Sequence, residues 1–267
     1  MITEWRRGSI KYNRPRVMGV LNMTPDSFSD KIRYTSKEAT EHIFKMANEG
    51  ADIIDIGGES TRPGSVPVTP EEEISRIIDV IRDAAPSLSI PVSVDTMHPE
   101  TATAALDAGA SMINDVSGLR DGKMIALAAF AGVPVVIMHM HGTPATMQEH
   151  TMSGDVVTQI SDFFDHMLMY AQNAGMKKDK MIFDPGIGFG KAYSQNVNII
   201  NNLTAFRKGC PLLIGTSMKA FLGEAYPRMS REEASLFSAA ECIRNGADIV
   251  RVHDVKRTVE IIKGRKI

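Results

Sequence analysis

Eight short apolar runs recur along the chain at nearly even spacing: 17–21 (VMGVL), 52–56 (DIIDI), 91–94 (PVSV), 111–115 (SMIND), 134–138 (PVVIM), 180–183 (KMIF), 211–215 (PLLIG) and 248–252 (DIVRV). Nearly all are continuously apolar. A strand covered on one face alternates apolar and polar residues, whereas a strand covered on both does not, so these runs predict a buried parallel sheet. Helical spacing fills the gaps. Between 36 and 50, Ala39, Ile43, Phe44, Met46 and Ala47 fall on one side and Gly50 predicts the stop. In the next helix Thr69 is placed to cap, Pro70 takes the first helical position, and Ile74, Ile77, Ile78 and Ile81 form the apolar stripe. Its acidic start, PEEEISR, reads as solvated. The stretch HPETATAALDAG repeats the plan, with Pro99 early and Gly109 at the end.

The phrases EGAD, DAGA, FAGV, NAGM and NGAD return just before strands, each fitting a helix that ends on a left-handed glycine. A strand–helix unit of about 30 residues therefore repeats. Eight such units in 267 residues predict an α/β fold, a single-domain (β/α)8 barrel over 1–267, with residues 1–16 covering its closed bottom. An open doubly wound sheet is the alternative; no GxGxxG follows the first strand to support it.

Composition narrows the functions this barrel can serve. Apolar residues make up 43% of the chain, enough for a large core, and 23% are charged with a net charge of −2. That balance offers no basic field for nucleic acid. No apolar run approaches the ~18 residues of a membrane span, and the first 16 residues lack the apolar centre of a secretory signal. Cys210 and Cys242 are far apart and form no CxxC pair, which speaks against a disulfide framework or structural zinc and for a cytoplasmic protein. The 17 methionines read as adaptable core filler.

In such a barrel, chemistry sits at the carboxyl ends of the strands. Here every run ends on polar groups: Asn22; Thr61 and Arg62 in GGESTRPG; Asp95; Asn114 and Asp115; His139 and His141; Asp184; Ser217 and Lys219 in GTSMK; and Arg251 with His253. Eight polar endings beside eight apolar runs predict one shared pocket, with 23–29 as its lid. The groups divide in two. Arg62, Arg251, His253 and the small-residue loop suit a diphosphate, because a guanidinium forks onto phosphate oxygens. Asn22 offers an oxygen fit for Mg2+, which takes few protein ligands alongside phosphate oxygens. Asp95, Asn114, Asp184 and Lys219 suit a flat heterocycle with several ring nitrogens and an exocyclic amine. His139 and His141 could share a face and hold zinc, but no third ligand is evident; a pocket wall and an exposed ring fit better. DPGIGFGK reads as a tight turn after Asp184, since it lacks the spacing and final Ser/Thr of a phosphate loop. Asp115 fits either a backbone partner or a site role.

Taken together, MGVLNMTPDSFSD, DIIDIGGESTRPG, VSVDT, INDVSGL, VIMHMHGTPATMQ, DPGIGFGK and VRVHDV, running in order from Met18 to Val255, closely resemble the dihydropteroate synthase family. The resemblance implies a TIM barrel that joins 6-hydroxymethyl-7,8-dihydropterin diphosphate to 4-aminobenzoate on the folate pathway, releasing diphosphate. It implies Mg2+ at Asn22, and Thr61 and Arg62 beside the diphosphate and the aminobenzoate channel. Asp95, Asn114, Asp184 and Lys219 would hold the pterin, and Arg251 and His253 the departing diphosphate. Phe28 and Pro63 would close over the aromatic amine, Phe189 would pack near it, and Ser217 would touch substrate. It further implies C–O cleavage ahead of attack, with the pterin cation stabilised by Asp95 and Asp184, Lys219 and Arg62 also serving catalysis, and a homodimer whose contacts could use the apolar helix segment LFSAAECI.

Two departures stand out. Where the family usually has Ser-Arg-Lys-Ser after the seventh strand, this chain has Ser217-Met218-Lys219-Ala220, and SDKIRY replaces the usual SDGG of the first loop. Met218 and Ala220 lie where the acceptor's carboxylate is usually held, and losing both glycines stiffens the lid or moves its hinge, so weaker aminobenzoate and sulfonamide binding is expected, or a different aniline acceptor as in methanopterin synthesis. A methyl-pterin:corrinoid methyltransferase module and a non-catalytic pterin-binding paralogue are the other readings; the first has no use for three basic groups arranged around a diphosphate.

Overall fold

The computed structural model describes residues 1–24, 35–62, 64–147, 149 and 151–264. An antiparallel hairpin of β1 (Ile2–Trp5) and β2 (Gly8–Lys11) precedes eight parallel strands. These are β3 (Arg16–Asn22), β4 (Ile53–Gly57), β5 (Val92–Asp95), β6 (Met112–Asp115), β7 (Val135–Met138), β8 (Met181–Asp184), β9 (Leu213–Ile214) and β10 (Ile249–Val252). They pair in the order β8-β7-β6-β5-β4-β3-β10-β9. A parallel bridge between Phe183 and Leu212 then joins β8 to β9 and closes the ring. The fold is the (β/α)8 barrel expected from the sequence. The seam at β9 is narrower than the run 211–215 suggests: its ladder spans only Leu213–Ile214, and Pro211 has no N–H to extend it.

Helices α1 (Ser36–Glu49), α2 (Pro70–Ala84), α3 (Pro99–Ala108), α4 (Gly122–Ala131), α5 (Val156–Asn173), α6 (Tyr193–Asn201), α7 (Leu222–Ala225), α8 (Arg231–Arg244) and α9 (Val255–Ile262) surround the ring. Their ends follow local chemistry. Thr69 Oγ1 accepts the Glu72 N–H at 3.3 Å and Pro70 opens α2. Left-handed Gly50, Gly109 and Gly132 terminate α1, α3 and α4. One expectation for α2 fails. Its acidic start is not solvated throughout, because Glu73 is fully buried among Ile77, Val80, Ile81 and Ala84, while Ile74 and Ile78 are only half-buried. A hydroxyl partner inside the fold, Thr96, makes that burial tolerable (Oγ1 to Glu73 Oε2, 2.6 Å).

The two-residue strand period explains how the barrel is filled. Met18, Ile53, Met112, Val136, Ile182, Leu213 and Ile249 form one apolar cluster with Trp5 and Ile10, so the amino-terminal hairpin packs against this inner layer. Two residues further along the same strands stand Val20, Asp55, Asn114, Met138, Asp184, Gly215 and Arg251. The side chains between them, such as Val17, Leu21, Ile54, Ile56, Ile113, Ile137, Phe183 and Val250, pack outward against the helices. Each strand is thus covered on both faces, and the switch from apolar to polar occurs one step up the inner face.

Candidate active site

A cavity of about 740 Å³ opens at the carboxyl ends of the strands. Its floor is an ionic cluster. Arg251 on β10 donates from Nε to Asp55 Oδ2 and from Nη2 to Asp95 Oδ2, both at 2.6 Å. Asn114 on β6 donates from Nδ2 to the same Asp55 oxygen at 2.9 Å. Asp55 Oδ1 and Asp95 Oδ1 are buried with no partner among the described residues. Burial pushes Asp95 up to about 7, against the pull of Arg251. Burial also works against the charge on Arg251, but Asp55 and Asp95 outweigh it and hold the guanidinium firmly charged.

The second wall starts at Asp184, the last residue of β8. Burial raises its pKa while Lys219 and the Gly186 N–H oppose the shift, the N–H donating to Asp184 Oδ1 at 2.8 Å. That bond needs glycine at 186: φ is +67°, and a Cβ there would lie 2.0 Å from His139 O. Lys219 Nζ donates to Ile187 O and sits 4.6 Å from the Phe189 ring centroid. Burial lowers it to about 8, with Asp184 holding it up. Lys191, at the end of DPGIGFGK, ties the turn together by donating to the carbonyls of His139, Gly186 and Phe189 at 3.1, 2.9 and 3.0 Å.

The rim carries the remaining groups. Asn22, Thr24, Glu59, Ser60, Thr61 and Arg62 line one side, Ser217, Met218, Ala220 and His253 the other. Ser217 Oγ lies 2.9 Å from His253 Nδ1 and accepts the His253 N–H at 3.4 Å. Where the hydroxyl hydrogen is directed at Nδ1, the ring proton sits on Nε2 and is available to a ligand. Burial, with Arg251 and Arg62 nearby, pushes His253 down to about 4 in the free protein. Between Ser217 and Lys219 stands Met218, a non-glycine residue at φ +63°. Its N–H donates to Ser235 Oγ on α8 at 2.9 Å, which helps hold this unfavourable backbone.

The comparisons with known proteins agree on this architecture. A family profile for pterin binding enzymes matches residues 18–253. The chain belongs to the pterin-binding enzyme family. It is 41% identical to the dihydropteroate synthase of Escherichia coli K12 over 259 residues, covering 96% of this chain and 92% of that one. Against the Bacillus subtilis dihydropteroate synthase it is 43% identical over 252 residues, 92% and 86% of the two chains. Among solved structures, the Yersinia pestis dihydropteroate synthase in a sulfonamide drug complex superposes with a TM-score of 0.93 at 38% identity, covering 99% of this chain and 98% of that one. The Xanthomonas albilineans enzyme in complex with 7,8-dihydropteroate gives 0.85 at 38% identity, covering 97% and 95%.

Within this pterin-binding barrel, Asn22, Thr61, Arg62, Asp95, Asn114, Asp184, Phe189, Ser217, Lys219, Arg251 and His253 all line the one cavity. Phe28 and Pro63, and the lid segment from Pro25 onward, lie outside the described residues. Arg251 is placed lower than a purely diphosphate-binding group would be: two of its nitrogens serve Asp55 and Asp95, and Nη1 alone has no protein acceptor among the described residues. Asp115 proves to be a turn anchor, accepting Ser117 N–H at 2.7 Å and Leu119 N–H at 2.9 Å. His139 is buried edge-on to Phe163, while His141 is exposed, so the two do not face a common ligand. Asp55 was missed by the sequence reading. The signal was present: it is the lone charge inside the apolar run IIDIG, at the inward parity of its strand.

Proposed function

We infer that this chain is a dihydropteroate synthase: it condenses 6-hydroxymethyl-7,8-dihydropterin diphosphate with 4-aminobenzoate to give dihydropteroate and diphosphate. The observation that carries the reading is the vertical sorting of one cavity. Buried Asp95, Asn114 and Asp184 lie at its base, with Asp55 behind them holding Arg251 and Asn114, and Arg62 and His253 at its rim. The base offers carboxylate and amide oxygens to the N–H groups of a pterin ring. The rim offers hydrogen-bond donors to phosphate oxygens. A corrinoid methyltransferase would need no such rim.

The chain's own residues suit a dissociative substitution. The pterin methylene C–O bond breaks and the diphosphate leaves with the electron pair. The resulting cation is delocalised over the ring, where Asp95 and Asp184 stabilise it in a site largely shielded from water. Arg62, the Nη1 group of Arg251 and the Nε2–H of His253 receive the leaving oxygens. The aniline nitrogen then attacks the methylene and loses its proton to solvent. The charge of Lys219 opposes the burial that raises Asp184, and Phe189 provides a face for the aromatic amine.

Asn22 suits Mg2+. It is half-buried at the rim, and its side chain makes no hydrogen bond among the described residues, so one neutral oxygen is open to an ion that draws its other ligands from diphosphate and water. When bound, the ion would neutralise charge on the leaving group. A homodimer is supported by the half-exposed Phe237 on α8 beside Tyr226, an apolar pair on the outer wall. A cytoplasmic location suits Cys210 and Cys242, which are buried and unpaired. No described helix is long and apolar enough to cross a membrane.

The deciding experiment follows diphosphate release from pterin diphosphate with 4-aminobenzoate and with ribosylated aniline, with and without Mg2+. Turnover with 4-aminobenzoate that requires Mg2+ is expected. Turnover with the ribosylated aniline alone would reassign the acceptor, and no diphosphate release with either would overturn the reading.

A further inference from the structure

Beside the cavity lies a cluster that the proposed chemistry does not use. The side chains of Glu59, Glu73 and His98 bring their oxygen and nitrogen atoms within 4.8 Å of one another. These atoms are already engaged with the protein. Glu59 Oε1 accepts the Val68 N–H at 3.3 Å, Glu59 Oε2 pairs with His98 Nε2 at 3.1 Å, and Glu73 Oε2 accepts from Thr96 Oγ1 at 2.6 Å. Glu73 Oε1 is buried without a partner among the described residues, but the Glu59–His98 pair is engaged at both carboxylate oxygens, with the Val68 N–H on one and the ring on the other, which is the mark of a mechanical tie. We propose that His98 and Glu59 are positioning residues, a strut that fixes loop 58–69, and with it Thr61 and Arg62, against the strand end that carries Asp95.

Three observations support this. First, the strut connects two neighbouring strand–helix units. Loop 58–69 follows β4, whereas His98 belongs to the turn after β5. Other ties among the described loop residues run within the loop or to the helix that follows it: Ser65 Oγ to Ser60 O at 2.5 Å, Ser65 N–H to Arg62 O at 3.1 Å, and Arg76 Nη1 of α2 to Gly58 O at 2.6 Å. Second, His98 forgoes the usual task of its position. It is the cap residue of α3, a place where Ser, Thr, Asp and Asn are preferred for side-chain capping, yet it makes no cap bond and turns its ring to Glu59 instead. A carboxylate only accepts, so Nε2 carries the proton. Third, the far end is anchored next to the cavity floor. His98 N–H donates to Thr96 Oγ1 at 3.0 Å, Thr96 directly follows Asp95, and Glu73 packs under the loop so closely that a Cβ on Gly58 would fall 2.9 Å from Glu73 Cγ. The chain from Asp95 through Thr96 and His98 to Glu59 therefore spans the two halves of the site, heterocycle below and phosphate above.

This rests on the reading that Arg62 serves the diphosphate, and the test separates the two. The wild-type chain and the variants His98→Ala, His98→Gln and Glu59→Gln are titrated calorimetrically with 6-hydroxymethylpterin and with its diphosphate, and amide hydrogen exchange of Val68 is followed without ligand. His98→Ala is expected to weaken the diphosphate form at least tenfold, to leave the bare pterin within twofold, and to speed Val68 exchange at least tenfold. His98→Gln, whose side-chain amide can donate to Glu59, restores most of both. Equal weakening of the two ligands, or unchanged Val68 exchange in His98→Ala, overturns the strut. So does faster Val68 exchange when EDTA is added to the wild type, which would make the cluster a metal site. If the wild type binds no pterin diphosphate, the functional reading fails, and Val68 exchange alone still decides the strut.

Discussion

Arg251 Nη2 donates to Asp95 Oδ2 at 2.6 Å while Arg251 Nε holds Asp55 at the same distance, so one guanidinium from β10 pairs with carboxylates from two different strands. The cluster therefore stabilises the floor and sets its charge at once. Removing the cation leaves at least one uncompensated buried carboxylate, which costs about 3–5 kcal/mol. Arg251→Met is expected to lose stability of that order in urea unfolding, and adding Asp55→Asn should recover part of it. If Arg251→Met unfolds at the wild-type midpoint, the ion pairs do not hold the floor together.

The same geometry gives pterin binding a pH dependence. Asp95 is raised to about 7 by burial, and its Oδ1 has no partner among the described residues. Ring N–H and amine donors reaching that oxygen favour the charged form, so the bound-state pKa lies below the free one. Binding then releases a proton from the fraction of Asp95 that is protonated. Affinity rises as pH climbs toward about 7 and levels off above it, falling as much as tenfold per unit below. Calorimetry at several pH values, in buffers of different ionisation enthalpy, measures both the slope and the released proton. A flat affinity from pH 5 to 8 would remove Asp95 as the titrating contact.

Much of this was legible in the sequence because strand parity is a local signal. Eight mostly apolar runs pointed to strands covered on both faces, and the polar residue following each to one end of the ring. What was not legible depends on contacts between strands. Asp55 sits inside a run, and its role appears only when Arg251, nearly two hundred positions later, is seen to reach it. The same holds for Glu73, whose place in a solvated-looking acidic cluster hides a buried bond to Thr96. That Arg62 and Arg251 both lie near the buried His253 ring is likewise invisible in its sequence neighbours. The departures Met218 and Ala220 were plain in sequence, but the left-handed backbone at 218 was not.

Lys219 ties the two halves of the second wall. Burial lowers it to about 8, so it is largely charged at neutral pH, and it counters the burial that raises Asp184. Lys219→Met removes that counter-charge and the Asp184 pKa climbs further. A protonated Asp184 cannot stabilise a cation, so kcat/KM should fall about 10²-fold at pH 7, in the range found for losing one preorganised electrostatic contact. The acid limb of the pH–rate profile should also move to higher pH. A uniform drop with no change in that limb would mean Lys219 acts on binding alone.

The wall that the resemblance assigns to the acceptor carries no cation at positions 218 and 220. Met218 and Ala220 line it together with the exposed carboxylate of Glu224. Arg231, the nearby guanidinium, donates to the carbonyls of Lys219 and Ala220 and so is held to the backbone. An acceptor carboxylate arriving here meets backbone N–H groups and an unfavourable neighbouring charge. Sulfonamides and 4-aminobenzoate are therefore expected to bind with dissociation constants above micromolar. Ala220→Ser supplies one hydroxyl, and a hydrogen bond to a charged group contributes about 1.5 kcal/mol or more, roughly tenfold in affinity. Met218→Arg adds a charge at the same wall and should act in the same direction. Calorimetric titration of the ternary complex with pterin and diphosphate present measures each step. A submicromolar sulfonamide constant in the unmodified chain, or no gain from either substitution, would show that the carboxylate is held elsewhere.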